Sequence, residues 1–181
     1  MKRLVIHPKD KTTDFLCPIY DGLNATVVTG GATRDEIKDM IKEHDQVMML
    51  GHGTPNGLLS IGNFPFGWGH IIDDSCASVL AEKDNSIFIW CNADQYVKYN
   101  KLKGFFTGMF ISEVAEAKLM GLPLAQQHAV DESNAWFVSG MKKVAADDVE
   151  LMHSYIKHDY GEITHRNPIA NYNCQRLYVS C

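Results

Sequence analysis

At 181 residues, 45% hydrophobic and 22% charged, the chain has the make-up of a globular protein rather than a disordered one, and it is long enough to bury about 70% of its unfolded surface in a single domain spanning 1–181. A formal net charge of −5, with no basic stripe, argues against nucleic acid and against an anionic membrane as partners. Five cysteines, at positions 17, 76, 91, 174 and 181, are odd in number and form no CxxC, which fits neither a disulfide framework nor a zinc ribbon and reads as free thiols.

Strand-like and helix-like segments alternate along the chain, the pattern of an α/β sheet with helices on its faces. Residues 3–7 are expected as a first strand. The opening Met1-Lys-Arg-Leu-Val-Ile-His7 meets the charged Lys9-Asp-Lys11 too soon for a signal peptide, and no apolar run nears the roughly 18 residues of a membrane helix, so a cytoplasmic location is expected. Residues 25–29 form a second strand ending in Gly30-Gly31, which lacks both GxGxxG and GxxxxGK[ST] and reads as a plain turn. Thr33-Arg-Asp-Glu36 is a capping box, and Ile37, Met40 and Ile41 follow at helical spacing, predicting a helix over 34–44.

Val47-Met-Met-Leu50 is an uninterrupted apolar run, as in a central strand covered on both faces, and Gly51-His52-Gly53 ends it. Residues 58–61 suggest a short hairpin strand, 63–70 a loop rich in glycine and aromatics, and Asp73 or Asp74 the cap of a helix reaching Glu82. Ile87 to Trp90 is the next buried strand, with Cys91 at its end. Beyond it, a helix over 109–119 is expected with Met109, Phe110, Val114, Ala117 and Leu119 inward, then a strand over 122–130. Helices near 134–145 and 147–158 follow, and an irregular tail over 161–181 with a possible edge strand at 175–179.

The chemistry concentrates on His52 and Cys91, each expected where an apolar strand runs out into a loop. In a mostly parallel sheet the carboxyl ends of strands line the crevice that binds ligands, so two such residues can converge there. A thiol beside an imidazole is the minimum for covalent catalysis, because the imidazole can take the thiol proton and the thiolate then attacks a carbonyl. The same strand ends would equally serve a Rossmann-like domain binding a small ligand without covalent chemistry. His70 is a second candidate histidine, with an ordinary surface loop as the plainer reading. There is no HExxH and no clustered Cys/His set, so neither a metal nor another cofactor is expected.

With these residues in view, the chain resembles the caspase-like clan of cysteine peptidases, which includes metacaspases, legumains, gingipains and clostripain. The resemblance lies in a His-Gly pair after one hydrophobic strand, Val47-Met-Met-Leu-Gly-His52-Gly53, and a Cys at the end of the next, Ile87-Phe-Ile-Trp-Cys91, together with the block from Gly104 to Ser133. It covers roughly residues 2–160. It implies a three-layer sandwich, a mostly parallel sheet with helices on both faces. It further implies a peptide or protein substrate, Cys91 as nucleophile, His52 as general acid and base, and the N–H groups of Gly53 and Cys91 as an oxyanion hole. The clan has a small residue before the nucleophile where this chain has Trp90, which keeps a non-catalytic interaction module as the rival reading. Asn92, Asp94 and Gln95 are expected on a loop after the thiol. Trp90, Asn92 and Asp94 are candidates for a substrate pocket, and an Asp94 carboxylate there would favour a basic residue before the cleaved bond.

Overall fold

The computed structural model describes residues 1–64 and 69–181. Strands β1 (Arg3–Ile6), β2 (Thr26–Val28), β3 (Gln46–Leu50), β7 (Ile87–Ile89), β8 (Gly104–Thr107) and β9 (Leu177–Ser180) form one six-stranded sheet in the order β2-β1-β3-β7-β8-β9. The first five run parallel and β9 pairs antiparallel with β8 at the edge. Between β3 and β7 the chain builds a separate three-stranded antiparallel sheet from β4 (Gly53–Thr54), β5 (Gly57–Leu59) and β6 (His70–Ile72).

The period-2 geometry of a strand divides the sheet's side chains between two cores. Leu4, Ile6, Val47, Met49, Phe88, Trp90 and Phe106 point to one face and pack against helix α1 (Arg34–Glu43), the short helix α2 (Ala77–Leu80) and helix α3 (Ala93–Tyr99). Val5, Met48, Leu50, Ile87, Ile89 and Phe105 point to the other, under a 3-10 turn (Asp14–Ile19) and helices α5 (Gln127–Val144), α6 (Val149–Gly161) and α7 (Pro168–Cys174). The molecule is therefore three-layered. Full burial of each such Leu, Ile or Phe is worth about 1.5–3 kcal/mol, which is why unbroken apolar runs rather than alternating ones mark these strands.

Helix α1 follows its capping box: the Thr33 hydroxyl accepts from the Glu36 N–H at 3.2 Å while the Glu36 carboxylate accepts from the Thr33 N–H at 2.7 Å. Asp73 caps the turn that leads into α2, accepting from the Ser75 N–H at 2.9 Å. The hairpin strand and the edge strand expected near 58–61 and 175–179 are present as β5 and β9. Of the loop expected over 63–70, residues 65–68 lie outside the described residues, and His70 opens β6.

Five expectations are corrected. The helix after residue 108 is α4 (Val114–Leu119), five residues shorter at its start, because residues 109–113 are not helical: the Ile111 N–H and C=O are both bonded to the side chain of Asn173. Phe110 and Ala117 are buried as expected, but Leu119 is 79% exposed. Residues 122–130 form no strand; Pro123 cannot donate to a ladder, and the segment turns into α5. The tail holds helix α7, started by Asn167, whose side chain accepts from the Ile169 and Ala170 N–H groups, with Pro168 at the first helical position. Finally, Asp94 and Gln95 lie in α3 rather than on a loop. Among the described residues, no helix is long and apolar enough to cross a membrane.

Candidate functional site

β1 has β2 on one side and β3 on the other, so the direction of the connections reverses between β1 and β3, the place where open α/β sheets leave a crevice at the carboxyl ends of their strands. His7 follows β1, His52 follows β3 and Cys91 follows β7. Because β3 and β7 are parallel neighbours with Leu50 opposite Ile89, two steps further along puts His52 and Cys91 at adjacent strand ends. Gly51 makes the first bend, at φ +140°, a conformation that side-chain-bearing residues avoid.

Both residues border one narrow cavity of about 30 Å³, lined mostly by apolar atoms and closed by Thr13, Phe15, Leu16, Phe110 and Ser112. That volume holds about one water. The Cys91 thiol donates to the Phe110 carbonyl at 3.4 Å. Burial pushes its pKa up to about 11, with the charge of Glu116 adding to the rise, so the resting sulfur is a thiol at neutral pH. Glu116 holds the neighbouring turn by accepting from the Ser112 N–H at 2.8 Å and the Glu113 N–H at 3.2 Å.

The His52 side chain is 30% exposed and faces the segment after β1. Its Nε2 lies 2.6 Å from the Thr12 hydroxyl and 3.5 Å from the Asp10 carboxylate. His52 and Cys91 therefore share a cavity, but they are not hydrogen bonded to each other among the described contacts. Such loose geometry is common in unliganded sites and does not disqualify a thiol–imidazole pair.

Trp90 precedes Cys91, and alternation sends its indole to the opposite face of the sheet. There it is 2% exposed, packed on Phe88 and Tyr96 with ring centroids 5.7 Å from each. Its Nε1–H donates to the Thr54 carbonyl at 3.2 Å, and a β-carbon on Gly53 would overlap the ring. Gly53 opens β4, directly after His52, whose carbonyl accepts from the Leu59 N–H at 2.9 Å. Asn92 takes a left-handed conformation, φ 66°, at the turn from Cys91 into α3, which asparagine tolerates better than most residues. The Asp94 carboxylate is paired with Lys98 one turn along the same helix, at 2.9 Å. His70 stands apart from the cavity, its Nε2 2.8 Å from the Thr54 hydroxyl.

Sequence reasoning did not single out Asp10 and Thr12. The signal was the cluster Asp10-Lys-Thr-Thr13 directly after a strand end, where an aspartate turns the chain by accepting from N–H groups two and three residues on. His7 was passed over as well. It is buried, with Nδ1 3.0 Å from the Tyr20 hydroxyl and Nε2 unpartnered among the described residues, and burial together with nearby Lys9 lowers its pKa to about 4. No protein-family model and no curated protein matches the sequence.

Proposed function

We propose that the protein is a cysteine peptidase of caspase-like type, with Cys91 as nucleophile and His52 as its base. The observation that carries this reading is that His52 and Cys91, an imidazole and a thiol expected at strand ends from the sequence, border a common cavity at adjacent parallel strands. In the reaction, His52 takes the proton of the Cys91 thiol as sulfur attacks the substrate carbonyl, and the carbonyl π electrons move onto oxygen. The N–H groups of Gly53 and Cys91 are the donors proposed to meet that oxyanion. Collapse of the adduct expels the amine, which receives the proton from His52, and water with His52 as base then cleaves the thioester.

A fluorogenic peptide panel with Arg, Lys, Asp and Asn before the cleaved bond tests this. Hydrolysis lost in both Cys91→Ala and His52→Ala, with melting temperatures close to the parent's, is the expected result. Hydrolysis persisting in Cys91→Ala sinks the reading. The pairing of Asp94 with Lys98 removes the reason for giving that carboxylate the selection of a basic residue, so no preference within the panel is assigned to it.

A second reading, a non-catalytic relative serving as an interaction module, draws on the raised thiol pKa and on a cavity too small for a peptide. A peptidyl chloromethyl ketone separates the two. Covalent labelling at Cys91 requires that the cavity open to a peptide, whereas the interaction module leaves Cys91 unlabelled.

A further inference from the structure

The polar groups behind His52 admit one consistent placement of protons. Asp10 sits in a tight turn, its Oδ1 accepting from the Thr12 N–H at 2.9 Å, the Thr13 N–H at 3.1 Å and the Thr12 hydroxyl at 2.8 Å. Burial pushes the Asp10 carboxyl upward, but the bonds from Thr12 and the nearby His52 outweigh it and bring the pKa below its ordinary value. An ionised carboxylate only accepts, and a threonine hydroxyl has a single proton to give. Were that proton given to His52, the Thr12 and Asp10 oxygens would face each other at 2.8 Å with no hydrogen between them, which is repulsive. The proton therefore goes to Asp10. Thr12 Oγ1, 2.6 Å from His52 Nε2, is left to accept, so Nε2 carries the ring N–H. In a neutral imidazole the lone pair then lies on Nδ1, which has no hydrogen-bond partner among the described residues.

We propose that Asp10 and Thr12 are positioning residues that hold His52 as the Nε2–H tautomer and leave Nδ1 as the nitrogen that accepts the Cys91 proton. The identity of the proton donor rests on the peptidase reading; the tautomer does not. When Nδ1 takes the thiol proton the ring becomes a cation, its Nε2–H stays on Thr12, and the new charge lies 3.5 Å from the Asp10 carboxylate. A carboxylate that orients the base and meets its charge does what the aspartate does in a serine-protease triad, but here through a hydroxyl and from the loop after β1.

Nitrogen-15 NMR of the histidine-labelled protein, recorded where the rings are neutral and with His52 assigned by comparison with His52→Gln, reads the tautomer directly. The expected spectrum has a pyrrole-type Nε2 and a pyridine-type Nδ1 in the parent and in Thr12→Ser, and an averaged pair in Thr12→Val. In peptide hydrolysis, Thr12→Val and Asp10→Asn should lose about 10- to 100-fold in kcat with KM held, and Thr12→Ser should keep most of it. A pyridine-type Nε2 in the parent, or a Thr12→Val spectrum identical to the parent's, overturns the relay whatever the enzyme does. A fixed Nε2–H tautomer in a protein whose Cys91→Ala variant still hydrolyses peptides supports the relay and overturns the peptidase reading instead.

Discussion

Trp90 rests on Gly53 with no room for a side chain between them: a β-carbon on the glycine would overlap the indole Cδ1 and Cγ and would stand 2.8 Å from the Gly57 carbonyl oxygen. The residue before the candidate nucleophile thus fixes the residue after the candidate base. The resemblance drawn from the sequence implies a small residue before the nucleophile, and Trp90 in that place keeps a non-catalytic module as the rival reading. The Trp90 indole packs against Phe88 and Tyr96 in the core on the face opposite the thiol, although Trp90 is also among the residues that line the cavity beside Cys91.

From this contact, Gly53→Ala is expected to destabilise the fold by about 1–3 kcal/mol, the usual range for forcing an extra carbon into a packed site. Peptide hydrolysis should fall with it, because the strand that starts at Gly53 carries His52 at its head. Urea unfolding measures the first effect. A variant as stable as the parent would mean that Trp90 yields easily and does not brace the loop.

How much of this was legible in the sequence divides along physical lines. Strands β3 and β7 were visible because burial on both faces leaves an uninterrupted apolar run, and α1 because its capping box is local. The sites at the two strand ends followed from those runs. What stayed hidden depends on contacts distant in sequence: residues 109–113 stay out of the helix because Asn173, 62 positions from Ile111, bonds that backbone. Two misses were avoidable. Ala93, Tyr96 and Val97 have helical spacing with an Asp94–Lys98 pair across one turn, and Asn167-Pro168 is a helix start. The Asp10–Thr12 hold on His52 joins the loops after β1 and β3, and only the parallel pairing of those strands brings them together.

Because burial and Glu116 raise the Cys91 pKa to about 11, its alkylation by iodoacetamide in the native protein should rise about tenfold per pH unit from 7 to 10. Mass mapping of the Cys91 peptide gives the rate, and Glu116→Gln should shift the profile to lower pH. A rate already at plateau at pH 7 would show a standing thiolate, and an imidazolium–thiolate pair would replace proton transfer during attack.

The cavity over Cys91 is closed in part by Phe15, which is only partly buried, whereas Leu16 and Phe110 belong to the core. Phe15→Ala is therefore expected to speed alkylation of Cys91 severalfold at fixed pH at a small cost in stability. Unchanged alkylation would place the gate elsewhere, at Thr13 or Ser112.

His7 gives the fold a pH dependence whose sign follows from its burial. Its pKa of about 4 lies below the ordinary 6.5, so the unfolded chain binds the proton first as pH falls. The stabilisation is complete above about pH 6.5 and is lost between there and pH 4, by up to ~3 kcal/mol. Since carboxylates titrate in the same window, the measurement is a difference. Urea unfolding of the parent and of His7→Asn at pH 7 and pH 4.5 should show a smaller loss in the variant; equal losses would mean that His7 opens to water before the fold does.

Asn173 ties helix α7 to the segment that carries the hydrogen-bond partner of Cys91. Its Oδ1 accepts from the Ile111 N–H at 2.7 Å and its Nδ2 donates to the Ile111 carbonyl at 2.8 Å, so one fully buried side chain satisfies both backbone groups of a fully buried residue. Asn173→Leu keeps the volume and removes both bonds. Each orphaned group costs about 1–3 kcal/mol, and the loss should appear as a lower urea midpoint with an unchanged slope. The adjacent Phe110 carbonyl accepts from the Cys91 thiol, so loosening residues 109–113 should also raise the alkylation rate of Cys91. A variant that is destabilised but alkylated at the parent's rate would confine Asn173 to the scaffold; one that keeps full stability would refute the hold itself.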